Sequence, residues 1–132
     1  MIDIHSHILP GIDDGAKDID DSIAMAKLAV QEGITSIIAT PHHKNGKYEN
    51  SKQVILKKVA ELNEVLQAES IPLTVLPGQE VRIFGEIIAD YEKDELLTLN
   101  DGNQYIFIEL PSGHVPRYTE RLLFDIQMKG LV

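Results

Sequence analysis

Five short apolar runs alternate with four stretches of helical periodicity along the chain, and this alternation restricts the fold more than any other feature of the sequence. The runs are Ile2 to His5, Thr35 to Thr40, Leu73 to Leu76, Tyr105 to Leu110 and a brief start at Leu131-Val132. Strand and helix periods in regular succession imply βαβ units, with parallel strands and helices packed on the sheet faces. The expected class is α/β with a parallel sheet.

The first helix is expected from near Asp20 or Asp21 to Gly33, with Ile23, Ala26, Ala29 and Val30 on one face. The second starts near Ser51 and places Ile55, Val59, Leu62 and Leu66 on a core-facing stripe, with Lys57, Lys58, Glu61 and Glu64 between them. A weaker third covers about Gly85 to Lys93, and a fourth runs from near Arg117 to Lys129, before Gly130. No low-complexity tract, charge block or linker interrupts the series, so residues 1–132 read as a single domain. Gly130 resembles a helix cap and Leu131-Val132 the opening of a buried strand, so the pattern stops in mid-unit. Strands left unpaired at such a point are normally avoided. The domain is therefore expected to be incomplete at its C-terminus, after the fourth βα unit.

With 12 basic and 21 acidic side chains, the net charge of −9 argues against a broad electrostatic footprint on nucleic acid or anionic lipid. There is no cysteine, which excludes disulfide staples, thiolate nucleophiles and thiolate metal ligands from this chain. The opening Met1-Ile2-Asp3-Ile4-His5 has no basic lead followed by an apolar stretch, and no run of apolar residues reaches membrane-spanning length. The expected location is the cytoplasm, without a membrane partner.

All five histidines, His5, His7, His42, His43 and His114, fall at or just past the C-terminal end of an expected strand. In parallel α/β folds, ligands and catalytic residues collect at that end of the sheet. His5-Ser6-His7 sets two imidazoles two residues apart, so that an extended segment points both the same way, as chelation of one ion requires. Taken alone the pair is weak, because about 0.2 such pairs arise by chance at this histidine content. Asp13-Asp14-Gly15 has the composition of an ordinary turn. A histidine after a strand, as at Thr40-Pro41-His42-His43, is more often a satisfied polar residue than a ligand. Glu80 closes the third strand within Pro77-Gly78-Gln79-Glu80. Glu109 places a carboxylate inside an apolar run, where it needs a cation, a salt bridge or a proton to offset desolvation. Four successive strand ends carrying these groups form a joint pattern, which a polynuclear metal centre explains simply. With nitrogen and oxygen donors and no thiolate, Mn²⁺, Fe²⁺ and Zn²⁺ are the fitting ions.

In this order, Ile2-Asp3-Ile4-His5-Ser6-His7-Ile8, Asp13-Asp14-Gly15, Ala39-Thr40-Pro41-His42, Gly78-Gln79-Glu80 and Ile106-Phe107-Ile108-Glu109 resemble the polymerase-and-histidinol-phosphatase (PHP) family. Within it, the chain is most similar to the bacterial manganese-dependent protein-tyrosine phosphatases encoded with capsular and exopolysaccharide genes. The resemblance implies the N-terminal part of a distorted (β/α)7 barrel with parallel strands and a site for three Mn²⁺ ions. On its pattern His5 and His7 bind a first ion, Glu80 bridges the first and second, Glu109 binds the second, and Asp14 with His42 binds the third. Asp13 is the adjacent alternative to Asp14, while His43 and His114 match no ligand position. The family's remaining ligands and its arginine correspond to positions beyond Val132, so no catalytic residue is assigned in this chain.

The implied reaction is hydrolysis of a phosphotyrosine monoester by water activated at divalent metal, with no covalent phosphoenzyme. The implied substrate is a phosphotyrosine protein, in particular a bacterial tyrosine kinase. A homo-oligomer, or pairing of another chain across the open sheet edge, is expected from the unpaired strands. Two other readings are another phosphoesterase of the same superfamily, a histidinol phosphatase or a nuclease, and a non-catalytic metal-binding fragment. The negative charge disfavours the nuclease.

Overall fold

The computed structural model describes residues 1–44, 48–110 and 117–132. In chain order these form β1 (Ile2–Asp3), α1 (Ile19–Gln31), β2 (Ser36–Ala39), β3 (His42–His43), α2 (Lys52–Ala68), β4 (Thr74–Pro77), β5 (Glu80–Arg82), α3 (Ile87–Glu92), a 3₁₀ turn (Leu99–Asp101), β6 (Phe107–Glu109) and α4 (Thr119–Met128). The strands pair in parallel in two three-stranded sheets, ordered β1-β2-β4 and β3-β5-β6. The α/β class with parallel strands is thus present.

The helices start and stop for local reasons. Asp18 caps α1 by accepting the Asp21 N–H at 2.9 Å, and Asp21 returns the favour to Lys17 N–H at 3.0 Å. That cap sits slightly earlier than the expected start at Asp20 or Asp21. The helix closes before Gly33, whose φ of +84° suits glycine. Ser51 caps α2, and Ile55, Val59, Leu62 and Leu66 are all buried, as their spacing implies. Helices α1 and α2 pack with Ile37, Ala39 and Val75 in one core, and α4 packs with Val81, Ile83, Ile87 and Leu96 in a second.

Two expectations about the strands need correction. The segments holding His42-His43 and Glu80 do not close the second and third expected strands; they are separate strands of the second sheet. Thr40-Pro41 interrupts β2 and β3, and Gly78-Gln79 interrupts β4 and β5. Proline lacks the N–H that a continuous ladder requires. Instead the Thr40 N–H turns to Ser6 O at 2.8 Å, and Pro41 O accepts the Glu80 N–H at 2.9 Å. A Cβ at Gly78 would lie 2.8 Å from Ile38 Cγ2 and 3.0 Å from Ala39 O, so only glycine permits this approach without adjustment. β1 is also shorter than Ile2 to His5, because past Asp3 its pairing passes to side chains.

Leu131-Val132 does not register as a strand, yet it lies where one would begin. The Ile106 N–H reaches Val132 O at 3.1 Å and the Val132 N–H reaches Gln104 O at 2.9 Å, the two bonds of a parallel rung. At the far side of the first sheet, the Asn63 side chain accepts the Val75 N–H at 2.8 Å and donates to Val75 O at 2.9 Å. Its amide thereby occupies the place of a neighbouring strand.

This packing sets a clear contrast between two leucines. Leu62 is 1% exposed and Leu28 is 61% exposed. Leu62→Ala should lower the unfolding free energy by about 2–5 kcal/mol, and Leu28→Ala should stay within about 0.5 kcal/mol. Urea unfolding curves of the two variants check this; equal losses would contradict the core described.

Candidate metal centre

The site begins with Ser6, the residue between the two histidines. Its Oγ donates to Ile38 O at 2.9 Å, its N–H reaches Thr40 Oγ1 at 3.1 Å, and its carbonyl accepts from Thr40. Ser6 therefore fastens the first segment to the end of β2, and the histidines on either side of it project together. His5 Nε2 and His7 Nε2 lie 3.3 Å apart. Glu80 Oε2, on β5, is 3.3 Å from His5 Nε2 and 3.1 Å from His7 Nε2.

The parallel register supplies the rest. His42 stands opposite Glu80, and Glu80 opposite Phe107, so all three side chains share one face of the second sheet. His42 Nδ1 is 3.3 Å from Glu80 Oε2 and 3.6 Å from Glu109 Oε1. Its other nitrogen, Nε2, is 3.4 Å from Asp14 Oδ1. Three overlapping ligand groups result: His5, His7 and Glu80; His7, Asp14 and His42; and His42, Glu80 and Glu109. Within each, the donor atoms lie within 4.8 Å of one another. All six residues expected as ligands thus come together, drawn from the three strands of the second sheet and the segment after β1.

Asp13 and Asp14 have different environments. The Asp14 side chain is 60% exposed and faces His42, whereas that of Asp13 is 1% exposed and already engaged. Asp13 accepts from His7 Nδ1 at 2.8 Å, from Gly15 N–H at 2.9 Å and from His42 N–H at 3.2 Å. Burial acts to raise the Asp13 pKa, but these hydrogen bonds outweigh it and hold the group below its ordinary 3.8. The same bond to Asp13 raises His7 above 6.5 despite burial, and the charges of Asp13, Glu80 and Asp14 add to it. In the neutral ring, Nδ1–H directed at Asp13 leaves the Nε2 lone pair free for a cation shared with Glu80, the arrangement that orients histidine ligands in metal sites. Gly15 permits this loop to close: a Cβ there would lie 2.2 Å from His7 O and 2.4 Å from His7 Cβ.

Two buried atoms test whether a cation suits the cluster. His42 Nδ1 and Glu109 Oε1 have no hydrogen-bond partner among the described residues. Buried polar atoms are normally satisfied, and a divalent cation bound by nitrogen and oxygen donors would satisfy both. The donor set therefore fits a metal.

His43 belongs to the opposite face, in register with Val81, and is buried away from the cluster. Its Nδ1 accepts the Asn50 N–H at 3.1 Å, and burial first, then the Lys44 charge, lowers its pKa. His114 lies outside the described residues. Four supporting residues escaped the sequence reading: Ser6, Thr40, Asn50 and Gln79. Asn50 Nδ2 donates to Ile12 O and His42 O, both at 2.8 Å. Gln79 Nε2 donates to Asn50 O at 2.7 Å, while its Oε1 accepts the Leu97 N–H at 3.0 Å. Ser6 and Gln79 stand beside ligand-type residues, which was a usable signal; Asn50 carried none.

A family model described as capsular polysaccharide synthesis, CpsB/CapC, matches residues 1–132. Among curated proteins, the tyrosine-protein phosphatase YwqE of Bacillus subtilis is 56% identical over 132 residues, which is all of this chain and 52% of that protein. The putative tyrosine-protein phosphatase CapC of Staphylococcus aureus is 37% identical, matched over all of this chain and 51% of its own length. CpsB of Streptococcus pneumoniae, also a tyrosine-protein phosphatase, is 30% identical over 99% of this chain and 54% of its own. The chain spans about half the length of the curated relatives it matches. A solved structure, from work describing YwqE and CpsB as unique metal-dependent tyrosine phosphatases, superposes with a TM-score of 0.95 at 56% identity, covering 100% of this chain and 53% of that one. On a match that runs from the first residue to the last, the chain belongs to the CpsB/CapC family of capsular polysaccharide synthesis.

Proposed function

We propose that this chain carries part of the active site of a metal-dependent protein-tyrosine phosphatase and acts in hydrolysis of phosphotyrosine. The observation that carries the reading is the convergence of three imidazoles on one carboxylate oxygen, Glu80 Oε2, beside the unsatisfied buried atoms of His42 and Glu109. The names of the relatives support it, as do the absence of cysteine and hence of any thiol nucleophile in this chain.

His5, His7, Asp14, His42, Glu80 and Glu109 would hold the metal, with Mn²⁺ as the proposed ion, three ions as the full complement, and Fe²⁺ or Zn²⁺ as substitutes. When bound, the metal supplies activation of water and neutralisation of phosphoryl charge. The protein's own part is to hold these donors in place. Asp13 fixes the His7 ring, Ser6 fixes the His5-Ser6-His7 segment to β2, and Asn50 with Gln79 braces the backbone at His42.

The proposed architecture is the N-terminal part of a distorted (β/α)7 barrel, with residues 1–132 belonging to one domain. The proposed substrate is a phosphotyrosine protein, specifically a bacterial tyrosine kinase linked to capsular or exopolysaccharide synthesis, in the cytoplasm. No helix among the described residues is long and apolar enough to cross a membrane. The open sheet edge would pair with a further part of the barrel or with a second copy.

Metal analysis and phosphatase assays test this reading. Phosphotyrosyl-peptide hydrolysis should require Mn²⁺, stop on chelation and resist thiol-alkylating agents; turnover in the presence of chelator would overturn the metal mechanism. Glu80→Ala should abolish tight metal binding, and Asp13→Asn should weaken metal affinity about 10- to 100-fold.

The pH dependence has a defined sign. In metal-free protein, the His7 contribution to stability is complete below 6.5 and is lost as pH rises through its elevated pKa. That of Asp13 is complete above 3.8 and is lost as pH falls through its depressed pKa. The stability lead of wild type over Asp13→Asn should therefore be greatest between 3.8 and 6.5, as read by thermal melts of chelator-treated protein. Metal binding should strengthen in the opposite direction, as His7 loses its proton.

A further inference from the structure

Arg82 is the last residue of β5, two positions after Glu80. Val81 and Ile83 point into the second core, so the alternation of the strand places Arg82 on the face that carries Glu80. Two residues of strand advance it by about 6.6 Å toward the C-terminal end of the sheet, beyond the ligand cluster. Its register partner is Glu109, on the neighbouring strand.

An arginine opposite a glutamate would ordinarily form an ion pair. Here Glu109 Oε1 instead approaches His42 Nδ1 at 3.6 Å. Among the described residues, the side chain of half-buried Arg82 has no hydrogen-bond or ion-pair partner, in a chain where acidic groups outnumber basic ones 21 to 12. A neighbouring cation, Lys44, is committed, since its Nζ lies 3.6 Å from Asp90 and 5.0 Å from the centre of the Phe84 ring. A guanidinium offers five donors in a planar fork matched to phosphate. On the sheet face that carries the cluster, such a group is available to an incoming anion.

We propose that Arg82 grips a non-bridging phosphoryl oxygen of the phosphomonoester held at the metal cluster. This rests on the phosphatase reading above. It makes Arg82 a substrate-binding residue contributed by this chain itself, outside the ligand set, and selects a phosphoryl dianion over a neutral ester.

Calorimetric titration of the Mn²⁺-loaded protein with inorganic phosphate tests the proposal, alongside Arg82→Gln, Arg82→Lys and the surface control Arg121→Gln. Manganese content, measured by mass spectrometry, should be unchanged in all three. Phosphate affinity should fall about 10- to 100-fold in Arg82→Gln, recover in part in Arg82→Lys, and hold in Arg121→Gln. With p-nitrophenyl phosphate as substrate, KM should rise in Arg82→Gln by a larger factor than kcat falls. If the wild type loads manganese but neither binds phosphate nor hydrolyses the ester, the phosphatase reading fails and the role of Arg82 with it. If the wild type binds phosphate and Arg82→Gln binds it equally well, only the Arg82 proposal is overturned. Loss of manganese from both Arg82 variants would assign the residue to the fold and overturn the proposal as well.

Discussion

The parallel register that sets His42 opposite Glu80 is the constraint on which the rest of the site depends. Strand pairing has a side-chain period of two, so this one alignment decides which groups face the cluster and which face the helices. His42, Glu80, Phe107, Arg82 and Glu109 fall on one side, and His43, Val81 and Ile108 on the other. A slip of one residue would trade His42 for His43 and would send Glu80 into the apolar layer with Leu122 and Ile126. The buried faces of Val81 and Ile83 therefore protect the chemistry as well as the fold. The breaks at Thr40-Pro41 and Gly78-Gln79 make the alignment attainable, because they let both segments change sheet at the same level.

Around that frame the electrostatics are unbalanced by construction of the fold. Four carboxylates, from Asp13, Asp14, Glu80 and Glu109, meet three imidazoles within a few ångströms. Asp13 differs from the others in being fully occupied with hydrogen bonds from the protein, while the remaining three keep oxygen atoms turned toward histidine nitrogens. One carboxylate is thus spent on rigidity and three on attraction for cations. The His7 pKa is raised first by its hydrogen bond to Asp13, with the charges of Asp13, Glu80 and Asp14 adding to it.

How much of this could be read from the sequence depended on the length of the pattern. The stripe Ile55, Val59, Leu62, Leu66 spans several helical turns, and its burial follows from spacing alone. His5-Ser6-His7 needed only strand alternation to be grouped, and Ser6 now explains why that short segment stays extended. By contrast, His42–His43 and Glu80–Arg82 are too short to display a period of their own, so they read as the ends of the preceding strands although they pair as separate ones. The choice between Asp13 and Asp14 had no local signal, since both are aspartates beside a glycine. Tertiary closure gives them different surroundings, with Gly15 packed against the backbone of His7 and Asp13 turned inward. Asn50 acts across the fold on Ile12 and His42, a reach that a linear pattern cannot encode.

The amide of Asn63 has a consequence for how the first sheet can be enlarged. Val75 presents its N–H and carbonyl away from β2, and both are taken by one side chain of α2. A strand arriving on that flank would have to evict Asn63 before gaining a single backbone bond. The β1 flank carries no such obstruction among the described residues, and Ile2 and Ile4 beside it are exposed. Accretion of further strands onto this sheet accordingly has a polarity: one margin is sealed by its own helix, and the other is where backbone can join.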